Sequence, residues 1–166
     1  MIEKAVETDF NPETGFFLLR LRKEDVGLGN EPVTVQGKTF RPKDEVHLTI
    51  FGSALGQRLA ERMAADEGLE VAIRRAIAET GWSYQLQDDW YHVVREDEAE
   101  SIIRMVAVPP LEAFYMKVET VADLTIPERP AHVTLYTWQD DEGIGIATWE
   151  EFERRVVGPV SPEQLR

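Results

Sequence analysis

The chain has 166 residues, 43% of them hydrophobic, and 31 acidic against 18 basic side chains give a net charge of −13. That length suits one domain or two closely packed small lobes, and the apolar share excludes a disordered chain. With no cysteine, disulfides and thiolate metal sites are excluded, and the acidity argues against a surface that grips a long polyanion through Lys and Arg contacts.

The opening MIEKAVETDF lacks the apolar stretch of a signal peptide, and no apolar run approaches bilayer length, so a soluble, cytoplasmic protein is expected. Residues 16–22, after an Asn-Pro-Glu-Thr-Gly turn, read as a buried strand. Val33-Thr34-Val35 and Lys38-Thr39-Phe40 flank Gln36-Gly37 and predict a hairpin. Residues 46–51 alternate as a strand. Ser53 offers an N-cap for a helical stretch ending near Gly81, which Gly68 divides into two apolar stripes: Leu55, Leu59 and Met63, then Leu69, Ile73 and Ile77.

Residues 82–87 and 90–95 predict an antiparallel pair about Asp88-Asp89, with Glu96-Asp97-Glu98 a loop or helix start. Residues 101–108 predict a strand stopped by Pro109-Pro110, 111–121 a helix, and 131–137 the next strand. Residues 140–143 form a turn. Thr148 then caps the helix TWEEFERRVV with Glu151 at the capping-box position, before an irregular tail marked by Pro159 and Pro162. No Gly-rich phosphate loop occurs, and no linker divides the chain, so the halves are expected to share a core.

One pattern occurs twice. His47-Leu48-Thr49-Ile50-Phe51 and His132-Val133-Thr134-Leu135-Tyr136 are both His-apolar-Thr-apolar-aromatic, and they use two of the three histidines. On a strand, alternation puts His47 and Thr49 on one face and Leu48 and Ile50 on the other, with like-facing Cβ atoms roughly 7 Å apart. His132 and Thr134 likewise oppose Val133 and Leu135. Burial of the aliphatic face turns each imidazole and hydroxyl toward an open surface. Side by side, the strands would line one groove. There two imidazoles can serve as base and acid in one turnover, and two hydroxyls can hold phosphoryl oxygens.

The paired His-x-Thr strands, one in each half, resemble the 2H phosphoesterase superfamily, which includes bacterial RNA 2′,3′-cyclic phosphodiesterases historically called 2′-5′ RNA ligases. The resemblance implies an α+β, bilobal fold over residues 1–166, with two antiparallel sheets, flanking helices, a pseudo-twofold relation and a central cleft. It also implies His47 and His132 as catalytic, Thr49 and Thr134 as phosphate-binding, and no metal or other cofactor. The acidic surface departs from a member acting on long RNA.

Around these four residues, Phe51 and Tyr136 are candidates to stack on a base or ribose. Arg20, Arg22, Arg104 and Lys117 are candidates for phosphate charge, and His92, with no hydroxyl two residues on, reads as a structural or surface histidine. No His-Glu-x-x-His or His-x-His spacing occurs, which argues against metal catalysis. The expected protein is a monomeric, metal-independent phosphodiesterase opening a 2′,3′-cyclic phosphate on a small cyclic nucleotide or an RNA 3′ end. It has no long duplex partner and no membrane partner. Reversal of the same chemistry would join a 2′-5′ linkage. The competing class is a non-catalytic module of the same fold that binds a nucleotide or RNA end.

Overall fold

The computed structural model describes residues 6–96, 99–140 and 142–165. Its elements run β1 (Glu7–Phe10), β2 (Phe17–Leu21), β3 (Val33–Val35), β4 (Lys38–Pro42), β5 (Val46–Phe51), α1 (Ser53–Ala65), α2 (Glu67–Glu79), β6 (Gln85–Val94), β7 (Glu100–Ala107), α3 (Leu111–Ala122), β8 (His132–Trp138), α4 (Trp149–Arg155) and β9 (Val156–Pro159). The architecture is α+β, with four helices and a large antiparallel sheet. No helix of the described residues is long and apolar enough to cross a membrane.

The strands follow the order β1-β2-β5-β8-β7-β6-β9, with β4 also on β8 and β3 on β4. Two separate sheets were expected; hydrogen bonding joins all nine strands into one. The join between the two halves is narrow, because β5 and β8 pair only at Leu48 and Val133. Both residues are fully buried, so their apolar faces continue one core across the seam.

That core lies on the face bearing Leu19, Leu48 and Val133, beneath α1, α2 and α3. Phe17 sits at its aromatic centre, with ring centroids 5.7 Å from both Phe51 and Phe114, and Trp82 is 4.9 Å from Phe114. A smaller cluster of Val93, Ile103, Met105, Ile144 and Ile146 occupies the opposite face of the second half. Directly paired residues share a face, and Ile103 pairs with Thr134 and Met105 with His132. The second cluster therefore lies on the same side as the second motif.

Several elements differ from the sequence reading for local reasons. The helix divides at Asp66 rather than Gly68, because the Asp66 carboxylate accepts the Gly68 N–H at 2.9 Å and caps α2. Ser53 is the first residue of α1, whose cap is Gly52. Residues 85–94 form one strand instead of a hairpin about Asp88-Asp89. β7 pairs with both of its ends, and the exposed acids sit where the register shifts between Leu86 and Trp90. The last helix stops at Arg155, and Val156–Pro159 leaves it to pair with β6. The Gln36-Gly37 turn holds, both residues having positive φ as a tight hairpin requires. Thr148 also caps α4, accepting the Glu151 N–H at 3.1 Å. Of the expected loops, Asp97, Glu98 and Asp141 lie outside the described residues.

Candidate active site

The seam places the two motifs together. Continued one residue either way, the antiparallel Leu48–Val133 register sets His47 across from Thr134 and Thr49 across from His132. All four line one pocket of about 90 Å³, together with Lys43, Glu45, Arg129 and residues 143–145. Strand parity sets each histidine and threonine on one face, and the β5–β8 pairing brings the two faces together.

The same irregularity interrupts both motifs. On β5, Thr49 pairs with Leu18 and Phe51 with Phe17, so Ile50 is an extra residue. On β8, Thr134 pairs with Ile103 and Tyr136 with Ile102, so Leu135 is extra. Each is a bulge at the fourth position of the motif, and a bulge reverses the facing of every later residue on its strand. Phe51 and Tyr136 therefore turn into the core instead of flanking the pocket, and the stacking expectation fails for both. Phe51 is fully buried and stacks on Phe114 and Tyr115. Tyr136 is 3% exposed, and its hydroxyl accepts the Gly29 N–H at 3.2 Å.

The open face expected for both motifs is complete only in the first, because Thr134 is half-buried but His132 is covered. His47 and Thr49 are half-buried, whereas His132 is 9% exposed. The difference is the segment after β8. Ile144 and Ile146 bury their side chains against Val93, Ile103 and Met105, and so carry the chain across the pocket beside Thr134. A Cβ on Gly143 would lie 2.9 Å from Thr134 Oγ1, so the close approach needs glycine. At the first motif, a Cβ on Gly52 would lie 2.7 Å from Thr49 Cγ2.

Hydrogen bonding within the chain leaves several polar groups of the pocket uncommitted. Among the described residues, neither threonine hydroxyl, nor the His47 ring, nor the Arg129 guanidinium has a hydrogen-bond partner within the chain. Arg129 is half-buried, and desolvation holds its pKa below the usual arginine range against the opposing charges of Tyr115 and Glu151. An unpaired, desolvated guanidinium is costly unless an anion completes it.

The histidines differ in protonation. The Nδ1 of His132 lies 2.8 Å from the Pro130 carbonyl oxygen. A carbonyl only accepts, so Nδ1–H donates and Nε2 keeps its lone pair. Burial, then the Arg129 charge, pushes the His132 pKa down to about 4, against the opposing pull of the Pro130 bond. Its imidazole is neutral at pH 7. His47 is also lowered, first by burial and then by the charges of Lys43 and Arg20, with Glu45 and Asp9 opposing.

Of the basic residues proposed for phosphate, Arg20 pairs with His47 across β2 and β5, but it and the other two arginines are already engaged. Arg20 is held by Asp9 at 2.6 Å and Glu45 at 2.9 Å, Arg22 by Asp25 at 2.8 Å, and Arg104 by the Gln87 and Val26 carbonyls. Lys117 lines a different surface hollow, beside α2. His92 is buried outside the pocket, with Nε2 2.6 Å from a Glu100 carboxylate that also pairs with Lys38. Lys43, Arg129 and the glycine segment were missed. A signal existed: Pro42-Lys43 and Arg129-Pro130 each put a cation beside a proline three or four residues before a motif histidine. No group of three or more His, Asp or Glu among the described residues has the geometry to hold a metal ion.

No family model, curated protein or solved structure matches the chain.

Proposed function

We propose that the chain is a metal-independent phosphodiesterase that opens a 2′,3′-cyclic phosphate on a small nucleotide or an RNA 3′ end. The observation that carries this reading is the meeting of two histidines, two uncommitted threonine hydroxyls and an unpaired arginine in one small pocket. The resemblance of the paired motifs to 2H phosphoesterases supports it. In that light the two halves are lobes related by a pseudo-twofold axis, and the matching bulges fit such a relation.

The reaction divides between the histidines. His132, neutral and with Nε2 free, takes a proton from water as the water oxygen attacks phosphorus. His47, protonated, gives its proton to the departing ribose oxygen as the phosphorus–oxygen bond breaks. The bound phosphate favours that charged form, offsetting the burial that lowers the free-enzyme pKa. Thr49, Thr134 and Arg129 hold the non-bridging oxygens. The product is a phosphomonoester, and proton exchange with solvent resets both rings.

Hydrolysis of 2′,3′-cyclic nucleotides in EDTA tests the proposal. Turnover is expected to persist, and to fall by about 10²-fold or more in His47→Ala and in His132→Ala. Tight binding without turnover would identify a binding module instead. Absence of both across cyclic nucleotides and RNA ends would overturn the phosphoester reading.

A further inference from the structure

A second groove adjoins the pocket. It runs between α3 and residues 126–129, with a volume of about 490 Å³, within the range of small-molecule sites. Arg129 lines both cavities. A phosphate held by Arg129 in the first would have the second beside it to take up its attached group.

The chemistry of the groove limits that group. Its apolar surface includes the Tyr115 ring, Ile126 and Met116, a large apolar side chain left 61% exposed. The Tyr115 hydroxyl is already committed to the Ile50 carbonyl at 2.6 Å, which leaves the ring as wall. The polar groups besides Arg129 are three carboxylates. Glu119 is anchored by accepting the Ile126 N–H at 3.1 Å, while Glu112 and Glu128 are exposed. They do not converge on a metal-holding arrangement. Ionised carboxylates only accept hydrogen bonds, so they repel a second phosphate and disfavour carbonyl edges. The complementary occupant is a flat apolar body edged with N–H donors, which the polarizable Met116 sulfur suits.

Resting on the proposed phosphodiesterase reading, we infer that this groove is a nucleobase subsite selecting donor-rich bases, guanine above all. Guanine presents an N–H beside an amino group, which one carboxylate can accept together. Uracil presents a single N–H between two carbonyl oxygens. Adenine and cytosine, each with one amino group, fall between.

Two measurements test this with the intact chain. Rates on the four 2′,3′-cyclic mononucleotides should give a kcat/KM about tenfold or more higher for guanine than for uracil, as expected for hydrogen bonds to a charged group. In Glu112→Gln/Glu128→Gln that ratio should fall toward one, because an amide also donates to uracil carbonyls. Calorimetric titration with guanosine 3′-phosphate and uridine 3′-phosphate reads the same preference without turnover. If neither chain turns over but the guanosine compound binds more tightly in a glutamate-dependent way, the subsite stands and the catalytic reading fails. Equal binding of the two compounds, no binding of either, or a preference that the double variant keeps would overturn the subsite.

Discussion

The two His-x-Thr strands share a five-residue pattern, a bulge at the same position and a place in one pocket, yet their surroundings diverge. His47 stands on the less covered side, among Arg20, Lys43, Glu45 and Asp9, whose opposing charges act on it. His132 lies under the segment that continues from its own strand, with one ring nitrogen tied to Pro130 and Arg129 nearby. A repeated motif thus delivers the same chemical groups twice, and the non-repeated neighbours make their burial and protonation different. The decisive asymmetry is small: one carbonyl oxygen, one guanidinium and a loop closed by two isoleucines.

The sharpest way to break the comparison is to remove each ring in turn while following pH. In the intact chain, kcat/KM should peak below pH 6.5, falling above as His47 loses its proton and falling below as His132 gains one near pH 4. His47→Asn and His132→Asn should each lower kcat by about 10²- to 10⁴-fold. The residual activity should lack the alkaline limb in the first variant and the acid limb in the second. The opposite pairing of limbs would exchange the assigned roles.

Acid stability offers a second contrast, of about 3 kcal/mol. His132 has a folded pKa of about 4 against an ordinary 6.5, so below 6.5 the unfolded chain binds the extra proton. Its contribution is present above pH 6.5 and is lost progressively toward pH 4. Urea unfolding at pH 7 and pH 4 should therefore show about 3 kcal/mol less acid loss in His132→Asn than in the parent chain. An unchanged pH slope would mean that the buried ring protonates without cost.

The smallest expected effect concerns the motif aromatics. Tyr136→Phe removes the acceptor of the Gly29 N–H and should cost about 1 kcal/mol of stability. Because the ring faces the core, kcat/KM should stay the same. A raised KM would return Tyr136 to the pocket.

Much of the frame was legible because periodicity is a local property. The strand parity at His47-Leu48-Thr49 and His132-Val133-Thr134, the Gln36-Gly37 turn and the Thr148 cap all follow from neighbours in sequence. The failures cluster where distant chain decides. The Phe51 and Tyr136 predictions extended alternation across a bulge, and a bulge is set by the register of the partner strand. Arg20 was a reasonable phosphate cation until Asp9 and Glu45, one of them 25 residues away, claimed its guanidinium. Arg129 went unnoticed because an unpaired guanidinium can be recognised only after every possible partner has been placed.

By itself the sequence determined the chemical content of this protein: two imidazole–hydroxyl pairs, each held to one strand face by alternating aliphatic residues. It also determined an acidic, cysteine-free chain with enough apolar side chains for a core. Tertiary structure decided that the pairs meet, through the narrow Leu48–Val133 pairing, and that Arg129 rather than Arg20, Arg22 or Arg104 lines their pocket without a partner among the described residues. It decided too which imidazole is buried and tautomerically held. Those outcomes depend on desolvation and on pairing between residues far apart in the chain, and no local pattern encodes either.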